Sequence, residues 1–208
     1  MPTERGHAAV IVTGVPRSGT SMMMRMLEAG GLPVIVDGIR KADADNPFGY
    51  YEFEPVKRLR KDSSWVADAR GKAVKMAYLL LRDLPPDVTY DVIFMRRVLD
   101  EVVASQDEML RRHGAGVSPD ISQRLVGLFE KELGALRGWL ATKENFRVLD
   151  VDYNRTVGDP RETCERINEF LGLEFDLDRE RMRSMVTHEL YRQRRPVPAP
   201  ESAQTGLP

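Results

Sequence analysis

Residues 9 to 30, AVIVTGVPRSGTSMMMRMLEAG, constrain the fold more than any other stretch of this chain. Ala9 to Val12 is a short apolar run rich in β-branched residues and closed by Thr13-Gly14, which predicts a buried strand. From Ser18 onward, Met23, Met26 and Leu27 fall at helical spacing, and Gly30-Gly31 is a stop signal. Between them lies Gly14-Val15-Pro16-Arg17-Ser18-Gly19-Thr20-Ser21. A strand, a glycine-bearing turn and a helix in this order aim backbone N–H groups and a helix N-terminus at an anion, normally a phosphate.

The loop departs from the usual nucleotide-binding pattern in a way that bears on its ligand. Gly14, Gly19 and Ser21 fit fixed positions of G-x-x-x-x-G-K-[ST], but Thr20 stands where the lysine belongs, and a cation appears three residues earlier as Arg17. A kinase-type loop without that lysine loses its main positive charge at the transferred group. Pro16-Arg17-Ser18-Gly19-Thr20-Ser21 resembles the 5′-phosphosulfate loop of the sulfotransferase family, whose sulfonate donor is PAPS (3′-phosphoadenylyl sulfate). The alternative is a glycine turn that only starts a helix.

The resemblance extends along the chain. Asn46-Pro47-Phe48-Gly49-Tyr50-Tyr51-Glu52 is similar to a segment of bacterial members that follows the first helix, and on this resemblance Glu52 lies nearest the acceptor. Transfer to a hydroxyl needs a group to take its proton, a task open to a buried carboxylate. The histidine that has this role in cytosolic animal members has no counterpart, since His7, His113 and His188 all lie outside the region concerned. Glu52 is therefore the expected base, with Glu54 as fallback; against this, one of the two is simply a first-turn acid of a helix over Glu54 to Lys61. The aromatic residues of segment 37 to 53 suit a lid or acceptor pocket, or else pin the loop to the core.

Val92 to Met95 predicts another buried strand, with Arg96 and Arg97 at its carboxyl end, where ligands bind in open α/β sheets. Leu99, Val102, Val103, Gln106, Met109 and Leu110 mark one face of a following helix that Gly114 ends. The family's 3′-phosphate site has an arginine at a strand end and a serine eight positions on, which Arg97 and Ser105 satisfy. Read singly, they are a surface charge and a small packing residue. Lys75 sits in the apolar run of a strand over 72 to 77, where a cation is costly unless it lies near the sheet end or is paired; beside a donor sulfonate it would stabilise the leaving oxygen.

Further elements follow from pattern alone. Pro33 to Val36 suggests a strand, and Ser118-Pro119 opens a long helix whose stripe of Ile121, Leu125, Leu128, Phe129, Leu133, Leu136 and Leu140 is expected to be core. Phe146 to Val151 predicts a strand, and Asp159-Pro160 a capped helix start. Tyr153 resembles the family's adenine-contacting tyrosine, although the acids that normally follow it are replaced by Asn154 and Arg155. Arg192, Arg194 and Arg195 either close the 3′-phosphate site, as a basic loop does in cytosolic members, or belong to a solvated tail.

At 208 residues and a formal net charge of −1, the chain suits one domain over 1–195 with a loose tail over 196–208, and no global field draws it to nucleic acid. No apolar run reaches the ~20 residues of a membrane helix, no secretory signal is evident, and a single cysteine, Cys164, excludes an internal disulfide. The expectation is a cytoplasmic α/β enzyme: three αβα layers around a mainly parallel sheet, like the P-loop nucleoside kinases. The resemblance implies PAPS as donor, PAP as product, no metal, and a small acceptor of aromatic or apolar character. Arg17, Ser18, Gly19, Thr20, Ser21, Arg97, Ser105, Tyr153 and Arg192 would hold the donor, with Arg17, Glu52 and Lys75 at the chemistry. The rivals are an ATP/Mg kinase, for which Asp150 or Asp152 would have to hold the metal, and a nucleotide-binding protein without turnover.

Overall fold

A computed structural model describes residues 8–43, 46–114, 116, 118–172 and 175–187. Four strands form one sheet: β1 (Ala9–Gly14), β2 (Ala73–Lys75), β3 (Tyr90–Arg96) and β4 (Phe146–Asp152), in the order β2-β1-β3-β4 with every pairing parallel. The helices are α1 (Thr20–Ala29), α2 (Leu99–Arg112), α3 (Pro119–Leu140), α4 (Tyr153–Gly158), α5 (Pro160–Leu171) and α6 (Arg179–Ser184). Three short 3-10 helices, Glu54–Arg58, Ser64–Ala69 and Tyr78–Asp83, occupy the connections around β2.

Alternation along the strands divides the core into two layers. Ala9 and Ile11 of β1 with Tyr90, Val92 and Phe94 of β3 pack under α2, α3 and the 3-10 helices. Val10, Val12, Ile93, Met95 and Val151 point the other way, onto α1, α4, α5 and α6. Both faces of β1 and β3 are thus covered, as parallel strands require. The chain leaves β1 through α1 on one face and β3 through α2 on the other, so the crevice between the carboxyl ends of β1 and β3 is the switch point where such sheets bind ligands.

The register then sets what meets there. Gly14 lies beside Met95, which lies beside Val151, so the loop after β1, Arg97 after β3 and Tyr153 after β4 emerge side by side. Lys75, the last residue of β2, pairs with Val12 and sits at the same end of the sheet.

Four expectations are corrected. Pro33 to Val36 is not a strand: a single bridge joins Val34 to Ala73, and Pro33 has no N–H to extend it. The strand expected over 72 to 77 is three residues long, and the helix expected over Glu54 to Lys61 is the 3-10 turn Glu54–Arg58. The stripe of α3 is only partly core. Phe129, Leu136 and Leu140 are buried, whereas Ile121 and Leu128 are exposed.

Candidate active site

The loop between β1 and α1 is held open by its own backbone and by α2. Gly19 is the N-cap of α1 at φ 94, no side chain caps that helix, and its first turn carries no acid, so its leading N–H groups remain available to an anion. A Cβ on Gly19 would overlap the Tyr153 ring, which packs directly against the turn. Arg17 adopts φ 76, a conformation costly to a residue with a side chain. Three contacts hold the loop there: Arg17 Nε donates to Ser105 Oγ (3.0 Å), Arg97 Nη1 donates to the Arg17 carbonyl (3.1 Å), and Gln106 Nε2 donates to the Pro16 carbonyl (3.2 Å).

Arg97 is a buried group rather than a surface charge. Its side chain is 6% exposed, its Nε meets Glu101 Oε2 at 3.1 Å, and its guanidinium lies 4.7 Å from the centre of the Tyr153 ring. Glu101 also accepts from Asn154 Nδ2 at 3.1 Å. Ser105 is buried too, at the turn of α2 that faces Arg17. Two arginines from separate crossovers of the sheet therefore meet here: Arg97 holds the backbone of Arg17, and Ser105 holds its side chain. Ser18 Oγ, deep in the loop, is buried without a hydrogen-bond partner.

On the other side of the loop, Ser21 Oγ donates to the Tyr50 carbonyl (3.2 Å), and Lys75 Nζ contacts the same carbonyl and lies 3.4 Å from Ser21 Oγ. Burial pulls the Lys75 ammonium down from 10.5 to about 8, an effect that nearby Glu52 partly opposes. The Glu52 carboxylate meets Arg40 Nη1 at 2.7 Å and Lys57 Nζ at 3.7 Å. The Arg40 guanidinium carbon lies over the Tyr50 ring, 3.4 Å from its centre. Glu54, the fallback, is the first-turn acid of its 3-10 helix and is engaged with Lys57 at 2.5 Å.

Between these groups is a cleft of about 580 Å³. Arg17, Gly19, Thr20, Ser21, Glu52, Lys75, Arg97, Ser105 and Tyr153 all line it. Glu54 does not, nor do Asp150 and Asp152, the acids a kinase would need. Asp150 is paired with Arg137 at 2.5 Å, and Asp152 caps α4 by accepting from the Arg155 N–H. Among the described residues no group of three or more His, Cys, Asp and Glu is arranged to hold a metal ion. Arg192 lies outside the described residues.

A sequence model of the sulfotransferase family matches residues 42–177, well over half of the chain. The chain belongs to the sulfotransferase family. That match begins beyond the Gly14–Ser21 loop, so loop and family model are separate pointers to one conclusion. Three solved structures are similar to this sulfotransferase. A sulfotransferase from Alicyclobacillus acidocaldarius is 17% identical over 83% of this chain and 84% of its own, with a TM-score of 0.49. A sulfotransferase domain from the curacin biosynthetic pathway is 14% identical over 96% of this chain and 95% of its own, with a TM-score of 0.50. The sulfotransferase domain of the Synechococcus PCC 7002 olefin synthase is 15% identical over 96% of this chain and 92% of its own, with a TM-score of 0.48. At such identities the likeness concerns the fold, and the curacin-pathway domain supports a shared αβα architecture.

Sequence reasoning passed over Arg25, Arg40 and the loop-holding role of Gln106. Arg25 follows Ser21 by one helical turn, a spacing that places it on the same side of α1, and it breaks the run Met22 to Leu27. Its position beside the loop was a usable signal. Arg40 had none, because only the path of segment 37–53 brings it to Glu52 and Tyr50.

Proposed function

We propose that this sulfotransferase moves a sulfonate group from PAPS to a hydroxyl or amine of a small acceptor. The observation that carries the reading is the convergence of Arg17, Arg97 and Ser105 beside the uncapped N-terminus of α1, with Arg97 donating to the Arg17 carbonyl and the Arg17 side chain donating to Ser105. A nucleotide phosphorylated at both its 5′ and 3′ positions needs two such anion sites about one nucleoside apart, whereas ATP needs one. In this reading the amides of Gly19, Thr20 and Ser21 with Arg17 receive the 5′-phosphosulfate, while Arg97 and Ser105 receive the 3′-phosphate. Tyr153, at the back of the same cleft, offers a ring edge to the nucleoside.

Transfer breaks the bond between sulfur and the bridging oxygen of PAPS, and the acceptor oxygen forms the new one. The bridging oxygen departs with negative charge, which Arg17, the helix amides and Lys75 offset; that field does the work a metal would do elsewhere. Glu52 takes the acceptor proton, with Arg40 turning away to free the carboxylate. The reaction is placed in the cytoplasm, a setting the single unpaired Cys164 tolerates.

Thermal unfolding at low salt tests the donor. PAP at about 100 times its dissociation constant is expected to add about 2.7 kcal/mol of stability, with ATP and magnesium giving much less. Stronger stabilisation by ATP and magnesium than by PAP would reverse the assignment in favour of a kinase. For the base, Glu52→Gln is expected to lower transfer of radiolabelled sulfonate to a panel of phenolic and alcoholic acceptors by roughly 10²–10⁴-fold with PAP affinity kept. Turnover at the wild-type rate would remove Glu52 from the chemistry.

A further inference from the structure

Arg25 has an environment that neither the donor nor the fold explains. It is 8% exposed, yet it lines the cleft on the side of segment 46–52. Its guanidinium lies 3.9 Å from the centre of the Phe48 ring, and Phe48 is half exposed. Nη2 donates to the Met185 carbonyl and lies 3.2 Å from Thr187 Oγ1. Nε is buried with no hydrogen-bond partner. Among the described residues no carboxylate pairs with it: the nearby Glu28 is engaged by Tyr51 at 2.5 Å, and Glu52 by Arg40.

A guanidinium cannot shed its proton to relieve burial, so an unpaired one costs stability unless an anion joins it. Burial does disfavour the charge here, pulling the group below its usual range. The other cations of the cleft are engaged: Arg17 with Ser105, Arg97 with Glu101, Arg40 with Glu52, and Lys75 with the Ser21 and Tyr50 groups. Arg25 stands one helical turn beyond Ser21 at the start of α1, on the side of the cleft lined by Phe48. Stacked on Phe48, it presents a fixed planar fork, which matches a carboxylate or phosphate better than a neutral group does.

Resting on the sulfotransferase reading, we propose that Arg25 recognises an oxyanion, a carboxylate or phosphate, carried by the acceptor itself. The acceptor is then a hydroxyl or amino compound with an apolar body, lying along Phe48, and a negative end. The aromatic wall supplies contact area and Arg25 supplies the charge selection.

The test uses the full chain saturated with PAP, and benzoate and benzamide as probes of equal shape and different charge. PAP binding is measured first. If PAP fails to bind, the donor reading falls; if PAP binds, the probes address Arg25 alone. Benzoate is expected to bind about tenfold or more tightly than benzamide, the discrimination a charged hydrogen bond gives. Arg25→Met is expected to bring the ratio near one with PAP affinity kept, and Arg25→Lys to recover part of it. Phenyl phosphate against phenol repeats the comparison for phosphate. Because the Arg25 side chain also tethers residues 185–187, a wild-type readout accompanies the variants. The Arg25 Nε–H resonance, assigned through Arg25→Lys, is expected to move downfield with benzoate and stay in place with benzamide. Equal binding of the paired probes, binding of neither, a charge preference that Arg25→Met leaves intact, or a stationary Nε–H resonance would overturn the proposal.

Discussion

Arg97→Ala is expected to lower the free energy of unfolding by about 3–5 kcal/mol and to abolish measurable PAP binding. Removing the guanidinium takes from Glu101, whose side chain is 4% exposed, the cation its carboxylate pairs with, while the Asn154 amide still donates to it. A buried carboxylate stripped of its cation loses far more than the pair contributed when intact. The variant also releases the Arg17 carbonyl and uncovers the Tyr153 ring that braces Gly19, so the left-handed turn at Arg17 loses one of its anchors. Stability and binding are separable. The double variant Arg97→Ala/Glu101→Gln removes the stranded charge and should regain about 2 kcal/mol in a urea titration, while PAP affinity stays lost. A PAP affinity within threefold of wild type in the single variant would mean that Arg97 only braces the loop.

That expectation depends on residues whose placement at the cleft was legible before the structure, and the reason is physical. Loop 14–21, Arg97 and Ser105 are tied to local signals: a glycine turn after an apolar run, a cation at a strand end, and a hydroxyl about two helical turns later. Parallel pairing then brings strand ends together whatever the loops do, so Gly14, Met95 and Val151 had to align. Segment 33–53 obeys no such rule. Pro33 to Val36 has the composition of a strand, but it meets β2 at Ala73, whose N–H donates to the Pro33 carbonyl and whose carbonyl accepts from the Ile35 N–H, and one bridge results. Ile121 and Leu128 fit the periodicity of α3, yet both are exposed, and periodicity cannot say where a neighbour ends. The position of Arg25 one turn beyond Ser21 was legible, but its contact with Phe48 was not, because Phe48 reaches α1 through a turn-rich path that no pattern encodes.

Lys75→Met is expected to raise stability at pH 7 and to lower kcat/KM by about 10²-fold or more, a trade typical of a charge buried for chemistry. The folded-state value of about 8 lies below the free value of 10.5. Below pH 8 the ammonium is charged in both the folded and unfolded chain, and the burial cost is present in full. Between about 8 and 10.5 the folded chain has released a proton that the unfolded chain still holds, so the unfolded state binds more protons and stability rises with pH. Above 10.5 the amine is neutral in both, and the cost is gone. After discount for partial solvent contact, the cost is on the order of 1–2 kcal/mol, so urea titrations should show Lys75→Met ahead by that amount at pH 7 and level with wild type near pH 10.5. Its loss leaves the Tyr50 carbonyl with the Ser21 hydroxyl as donor, so no new buried acceptor is stranded. A donor sulfonate beside Nζ favours the ammonium and raises its value again. Binding of PAPS at pH 8 should therefore take up roughly half a proton, read by calorimetry in buffers of different ionisation enthalpy, and Lys75→Met should take up none. For the same reason kcat/KM of the wild type should fall as pH rises through 8, where the free enzyme loses this charge. A flat profile from pH 7 to about 9.5, or turnover by Lys75→Met at the wild-type rate, would place the ammonium outside the transfer and leave it as a prop for the Tyr50 backbone.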